Sequence, residues 1–406
     1  MVTVLPDAEW RHRDGLRRIV AVLSARGGAV KLVGGAVRDT LLGLAVTDID
    51  LATPLPPDKV TKRLEAAGIK VVPTGIAHGT VTAIASHDRH EITTLRRDVA
   101  TDGRRATVAF ADDWRDDAAR RDFTINALYA DPVGGKIDDW FGGLADLEAG
   151  RIRFIGDAAT RIAEDHLRIL RFYRFAARFG RGDLDAESHA AVIAARQSLK
   201  SLSRERVADE LTKILSLPDP RAIVAQMAAD GIFAVILPEL VGDHVSALDR
   251  LLANEMAANA VPAPLRRLAA LLPADGAVAD QVGGRLRFST RQRKHLAALA
   301  GHRAAPLPPV RRLAHAIGVE AAGDAWLLAA APDAAADAMR SLAGWQVPEL
   351  PIKGGDIIAR GVTAGPEVAR LLKAVEADWV AEDFPDAVRV AALLDQKIGR
   401  MSDRRQ

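Results

Sequence analysis

The chain has no cysteine in 406 residues. Disulfides, zinc–thiolate centres and thiol nucleophiles are therefore excluded. The composition suits a reducing compartment, and a cytoplasmic protein is the expectation. A run of about 18 uncharged apolar residues is missing, so no membrane span is expected. The opening stretch, MVTVLPDAEWRHRDG, carries charges where a secretory signal would be apolar. No G-x-x-x-x-G-K-[ST] occurs, which argues against a P-loop. The ten histidines form no HxxxH-type spacing with acids, and His78, ahead of Gly79 and Thr80, reads as a turn residue. A strong excess of positive charge is also lacking. The formal net charge is only +2, so any contact with a polyanion must come from local clusters.

What is present is length for two to four domains and 49% hydrophobic residues, enough for a sizeable core. The chain is organised around residues 31–53, KLVGGAVRDTLLGLAVTDIDLAT, which read as strand, glycine turn, helix and strand. Residues i and i+2 of a strand share a face, so Asp48 and Asp50 are expected to look the same way, roughly 7 Å apart. Two like charges held together are costly unless a cation lies between them. Oxygen-only ligands favour Mg²⁺, which keeps waters and also takes phosphate oxygens. Gly34 and Gly35 allow a backbone to approach phosphate at a helix start. The combination points to nucleotidyl transfer; the alternative is a turn followed by two solvated aspartates.

Around this stretch, residues 8–27 read as an amphipathic helix, and 56–67 as a helix opening on proline and ending before Gly68. Residues 69–73, 79–85 and 90–95 read as strands. A helix–strand unit followed by a meander argues for a small mixed α+β domain over residues 1–150 rather than a regular parallel sheet. Residues 96–106, RRDVATDGRRA, read as a loop with four arginines, either solvated or bearing on nucleic acid or nucleotide. After about residue 150 strand signals stop and helical patterns run on, with Pro218 and Pro220, Pro262 and Pro264, and residues 305–309 as joints.

Two further stretches carry chemistry. Residues 120–127, RRDFTINA, offer arginines suited to phosphate, with Asp122 and Asn126 able to bond a ribose hydroxyl. The alternative is the charged first turn of a helix. Residues 162–180 read as one buried helix with Arg168, Arg171, Arg174 and Arg178 inside an arc of roughly 120°. Arginines without interleaved acids repel each other and are better placed facing a polyanion. Asp165 lies at the edge of that face, and an Asp/Arg pair can read a base edge. In SRERVADEL (203–211), Arg206 and Glu210 form an expected i,i+4 pair with a structural role.

VGGAVRD…TDID, RRDFTINA and EDHLRILRFYRFA, in this order, resemble the motifs of class II tRNA nucleotidyltransferases and bacterial poly(A) polymerases. SRERVADEL and KGGDIIARGVTAGPEVARLL are similar to later motifs of that family. The resemblance is strong over residues 30–215 and weaker beyond. It implies an α+β fold: a polymerase-β-like nucleotidyltransferase head (1–150), then an all-α neck (151–220) and a helical body and tail (221–406) that grip tRNA. Asp48 and Asp50 match metal-binding carboxylates, and Glu91 is the candidate third acid. Gly35 and Arg38 match phosphate-contacting positions, and Arg121 a nucleotide contact. Asp165 and Arg168 match the protein template that distinguishes CTP and ATP from UTP and GTP, with Arg171 and Arg174 as triphosphate and base-proximal contacts. Thr47 stands where many members have glycine. The implied activity is Mg²⁺-dependent addition of CCA to the tRNA 3′ end, with the acceptor arm, CTP and ATP as partners. Rival expectations are a poly(A) polymerase, a CC- or A-only enzyme, and a non-catalytic RNA-binding module. The PTGIAHGTVTAI stretch looks more like CCA-adding members, and the 96–106 loop favours an enzyme that completes the terminal A.

Overall fold

The computed structural model describes residues 4–76, 79–102, 105–111, 113–240, 244–304 and 306–403; His78 lies outside them. The chain divides into two compact units, Met1–Ile236 and Leu237–Gln406.

In the first unit a 3₁₀ turn (Glu9–His12) precedes α1 (Asp14–Ser24), which buries Leu16, Ile19, Val20 and Leu23 at helical spacing. β1 (Lys31–Val33) runs through Gly34 into α2 (Gly35–Leu41). β2 (Ile49–Thr53) returns antiparallel to β1, with Val33 opposite Asp50. α3 (Pro57–Ala66) starts on its proline and stops ahead of Gly68, whose φ is 72°. β3 (Lys70–Gly75), β4 (Thr80–Ala85) and β5 (Asp88–Thr94) form the expected meander. β5 then runs parallel to β2, which sets Glu91 level with Asp50. Residues 96–106 are not a loop. Those described, 96–102 and 105–106, lie in β6 (Arg96–Asp102) and β7 (Arg105–Phe110), a two-stranded antiparallel pair. Val99, Thr101, Thr107 and Val108 are β-branched residues that favour extended backbone, a signal masked by the arginines around them.

α4 (Trp114–Ala119) leads to β8 (Tyr129–Ala130) and β9 (Ile137–Asp138). They complete a sheet in the order β3-β4-β5-β2-β1-β8-β9. Among the described residues only β2 and β5 pair in parallel, as a mixed α+β domain requires. RRDFTINA does not begin a helix. It follows the end of α4 and passes through a 3₁₀ turn (Thr124–Asn126) into β8.

Helices follow: α5 (Gly143–Ala149), α6 (Ala158–Glu164), α7 (Arg168–Phe179), α8 (Ala186–Ala195), α9 (Arg204–Leu215), α10 (Arg221–Ala229) and α11 (Ile232–Ile236). The helix expected over 162–180 is broken between α6 and α7. Asp165 is extended, with φ −153° and ψ 104°, and its carboxylate accepts from the Leu167 N–H at 3.1 Å. This local side-chain bond competes with helical pairing. α7 anchors the helices to the sheet domain: Phe175 packs 5.0 Å from Phe123, and Phe172 stacks 5.9 Å from Phe154.

The second unit is helical among its described residues: α12 (His244–Ala257), α13 (Pro264–Leu271), α14 (Gly276–Arg285), α15 (Thr290–His302), α16 (Val310–Ile317), α17 (Val319–Ala329), α18 (Pro332–Leu342), α19 (Gly354–Ile358), α20 (Pro366–Ala381) and α21 (Ala387–Asp403). Leu251, Ala270, Leu327 and Ala335 form one core cluster. Ile357, Leu371, Val375, Trp379, Val390 and Leu394 belong to another. Buried Glu255 accepts from both Arg266 and Arg267, and Arg266 also reaches Asp324. No described helix is long and apolar enough to cross a membrane.

Candidate active site

An open cleft of about 610 Å³ lies on the sheet face and is lined by Asp48, Asp50, Glu91, Arg89, Thr74 and Thr82 among others. β2 carries Asp50, Asp48 stands just before the strand, and the parallel register brings Glu91 alongside. The spacing expected of Asp48 and Asp50 thus places both in one cleft. Burial pushes the Asp50 carboxyl up to about 6 from an ordinary 3.8; Arg121 opposes the rise, and the charges of Glu91 and Asp48 add to it. Carboxylates that raise each other's cost of ionisation are a place for a cation. Among the described residues no group of three His, Cys, Asp or Glu side chains is arranged to hold a metal by itself, so substrate and water oxygens would have to complete the shell around Asp48 and Asp50. An open, oxygen-only face fits a hard divalent ion that keeps waters and takes further oxygens from its substrate.

Arg89 is part of the cleft's lining, and a further cation whose charge bears on Asp50 is Arg121. Its Nε donates to the Tyr129 hydroxyl at 3.0 Å and its Nη2 to Asp117 at 3.4 Å, while the Tyr129 hydroxyl itself donates to Asp117. Tyr129 is wedged edge-on between Trp114 and Trp140, 5.9 and 5.5 Å between ring centres. Burial alone would raise Asp117, but Arg121 and Arg120 override it and hold its carboxyl below the usual range. The Arg121 Nη1 reaches the glycine turn, where a Cβ on Gly34 would lie 3.3 Å from it. Gly34 has φ 67° and ψ −122°, a region essentially closed to other residues. The demand for glycine therefore falls on Gly34, whereas Gly35 heads α2 and a Cβ there would make only an ordinary 3.7 Å contact.

The arginine face of α7 is not left to a polyanion. Acids reach it from other elements. Arg168 pairs with Glu164 at 2.5 Å, Arg171 with Asp122 at 2.5 Å, Arg174 with Glu210 at 2.6 Å and Arg178 with Asp39 at 3.6 Å. Burial would raise Asp122, yet Arg171, the Asn126 amide and the Phe123 N–H bring it down to about 2. Asp122 and Asn126, expected to serve a ribose, are thus bound to protein: Asn126 donates to Asp122 at 2.9 Å and accepts from Arg38. Arg38 is 6% exposed, bonded to Asp39 at 2.8 Å, and lies 4.2 Å over the Phe179 ring. Arg206 does not pair with Glu210. It donates to Asp165 at 2.7 Å, because Glu210 points into the α7 face and is only 2% exposed.

Asp165 and Arg168 stand on either side of the α6–α7 break. Arg168 donates to the Arg161 and Arg120 carbonyls at 2.8 and 3.0 Å as well as to Glu164. Sequence reasoning missed Asp117, Tyr129 and Glu164, and gave Glu210 the wrong partner, Arg206 in place of Arg174. Asp117 had a local signal, since it precedes Arg120 and Arg121 by three and four residues, the spacing at which helical side chains meet.

Residues 30–153 match the family model described as Poly A polymerase head domain, and residues 183–242 that of the probable RNA and SrmB-binding site of polymerase A. The mitochondrial CCA tRNA nucleotidyltransferase 1 of Mus musculus is 31% identical over 403 residues, covering 92% of this chain and 88% of its own. The CCA-adding enzyme of Leuconostoc citreum (strain KM20) is 41% identical over 199 residues, 48% of each chain. The Bacillus stearothermophilus CCA-adding enzyme, solved in complex with CTP, superposes with a TM-score of 0.77 at 27% identity, covering 95% of this chain and 97% of that one. With a carboxylate cleft on its sheet, and with this likeness over nearly its whole length, the chain belongs to the family of CCA-adding tRNA nucleotidyltransferases.

Proposed function

We propose that the chain completes the 3′ end of tRNA, adding C, C and A from CTP and ATP without a nucleic-acid template. The residues divide the work. Asp48 and Asp50, with Glu91 alongside, would hold Mg²⁺. When bound, the ion supplies Lewis-acid stabilisation of the phosphoryl oxygens and a more acidic 3′-hydroxyl. Arg121 faces the triphosphate, and Arg171 and Arg174, held on one side by Asp122 and Glu210, turn their remaining N–H groups to the triphosphate and the base, with Gly35 at the head of α2 leaving backbone open to it. Arg38, spent on Asp39 and Asn126, braces the glycine turn against α7. The head (1–150) carries the transfer site, the neck (151–220) the choice of nucleotide, and the helical body and tail (221–406) hold the tRNA.

Asp165 and Arg168 choose the base. The observation that carries this is the α6–α7 break. It leaves Asp165 clamped by Arg206 and the Leu167 N–H, with acceptor capacity to spare on a carboxylate of about four lone-pair sites. Arg168 spends three of its N–H groups on protein, two from Nη1 and one from Nη2, and a guanidinium has five. Both groups are rigid before a base arrives and still able to bond it. Cytosine and adenine offer an amino group to the carboxylate. Uracil presents an O4 acceptor instead, and the unpaired buried groups that result can reject it by 10⁴-fold or more.

The test is single-turnover incorporation of each nucleotide by the Asp165→Ala and Arg168→Ala proteins. Misincorporation of UTP and GTP is expected; an unchanged preference for CTP and ATP contradicts the assignment.

A further inference from the structure

Arg121 faces two carboxylates with opposite demands. The glycine turn that its Nη1 reaches follows Val33, which lies opposite Asp50 on β2, so Asp50 is within its field and attracts it. If Arg121 closed onto Asp50, it would neutralise the group proposed to hold the metal. Asp117 is the competing partner. It is 1% exposed and gathers four donors. One oxygen takes the Arg120 Nε at 2.8 Å and the backbone N–H of Arg96, at the root of the β6–β7 pair, at 3.2 Å. The other takes the Tyr129 hydroxyl and the Arg121 Nη2. Tyr129 is fully buried and makes edge contacts with both Trp114 and Trp140, which hold its ring in place. Trp114 is itself held by Lys31, whose Nζ lies 4.6 Å over its ring and pairs with Asp138. The Nε and Nη2 edge of Arg121 is thus occupied by Tyr129 and Asp117, and the Nη1 edge is left at the Gly34 turn.

We infer that Asp117, acting through Tyr129, is a positioning residue that holds the Arg121 guanidinium at the glycine turn and off Asp50, so that the carboxylate cleft stays free for a divalent cation. The inference rests on the proposed role of Asp50, and its test separates the two. The physical basis is a choice between two carboxylates. With Asp117 made neutral, Asp50 is a carboxylate whose charge still acts on the Arg121 guanidinium. An opposite charge brought within about 4–6 Å of a carboxylate is comparable to a pKa change of one to three units, so a bound cation should lose about tenfold or more in affinity.

The experiment is titration of Mn²⁺ into the full chain, followed by electron paramagnetic resonance, for wild type, Asp50→Asn, Asp117→Asn, Tyr129→Phe, and Asp117→Asn combined with Arg121→Ala. Asp50→Asn should abolish the tight site; if it does not, the reading of Asp50 falls and the inference with it. Asp117→Asn should weaken Mn²⁺ about tenfold or more and Tyr129→Phe by less, with tRNA affinity in a gel shift unchanged within twofold. Removing Arg121 from the Asp117→Asn protein should restore Mn²⁺ affinity, which a merely structural role of Asp117 would not produce. Unchanged Mn²⁺ affinity in Asp117→Asn, or no recovery in the double variant, overturns the inference while leaving Asp50 in place. If Asp117→Asn does not fold, Tyr129→Phe with and without Arg121→Ala carries the same test: weaker binding that recovers supports the inference, and unchanged binding overturns it.

Discussion

Replacing Asp50 by asparagine should make the metal-free protein more stable while abolishing transfer. The Asp50 carboxyl rises from 3.8 to about 6, first through burial and then through Glu91 and Asp48. Each unit is worth about 1.4 kcal/mol, so ionising Asp50 in the folded state costs roughly 3 kcal/mol. The native protein binds this proton more tightly than the unfolded chain does. Its stability therefore falls as pH rises from about 4 towards 6 and stays low above that. In EDTA at pH 7.5, Asp50→Asn should gain up to roughly 3 kcal/mol, and by the same linkage the gain should shrink to about half at pH 5. Urea unfolding followed by circular dichroism at the two pH values measures this. Saturating Mg²⁺ should stabilise the parent and not the variant. An asparagine variant that is less stable at pH 7.5, or whose gain does not change with pH, refutes the reasoning.

Other perturbations test the supports of the site. Glu210→Ala leaves Arg174 without its 2.6 Å partner in a buried position, a loss of about 3–5 kcal/mol; a urea midpoint within 1 kcal/mol of wild type would show that Glu210 does not hold the α7 face. Gly34→Ala forces a non-glycine residue to φ 67° with its Cβ 3.3 Å from Arg121. It should cost about 1–3 kcal/mol and lower the transfer rate more than Gly35→Ala, and equal rates for the two variants would contradict the assignment of the turn. Arg206→Ala should loosen Asp165 and raise UTP misincorporation without weakening tRNA in a gel shift; unaltered discrimination would mean that the Leu167 N–H suffices to hold Asp165.

Residues 31–53 were legible because their pattern is local. A strand, a glycine turn, a helix and a two-residue acid spacing all act over short range, and the fold follows them. The second half of the site was legible only as a list of arginines. The acids that neutralise them arrive from Asp122 and Glu210, 49 and 36 residues away from Arg171 and Arg174, and from Asp39 on α2. No periodicity in 162–180 could reveal these three, whereas Glu164, four residues before Arg168, was visible within it, and a face read as needing a polyanion is largely paired within the protein. The break between α6 and α7 was hidden for a different reason. The hydrophobic pattern continues through it, and only the Asp165 side-chain bond to the Leu167 N–H interrupts the helix. The β6–β7 pair was read as a loop because charge density outweighed its β-branched residues. Asp117 is the instructive omission, since its helical spacing to both arginines of RRDFTINA was in plain view.

The most direct test of the account is a sequencing gel with tRNA that lacks its 3′ CCA, incubated with CTP alone, ATP alone, and both. The account predicts extension by two residues with CTP, none with ATP, and three with both, ending there. A long ladder with ATP, a stop after two residues with both nucleotides, or no extension in any lane would contradict it.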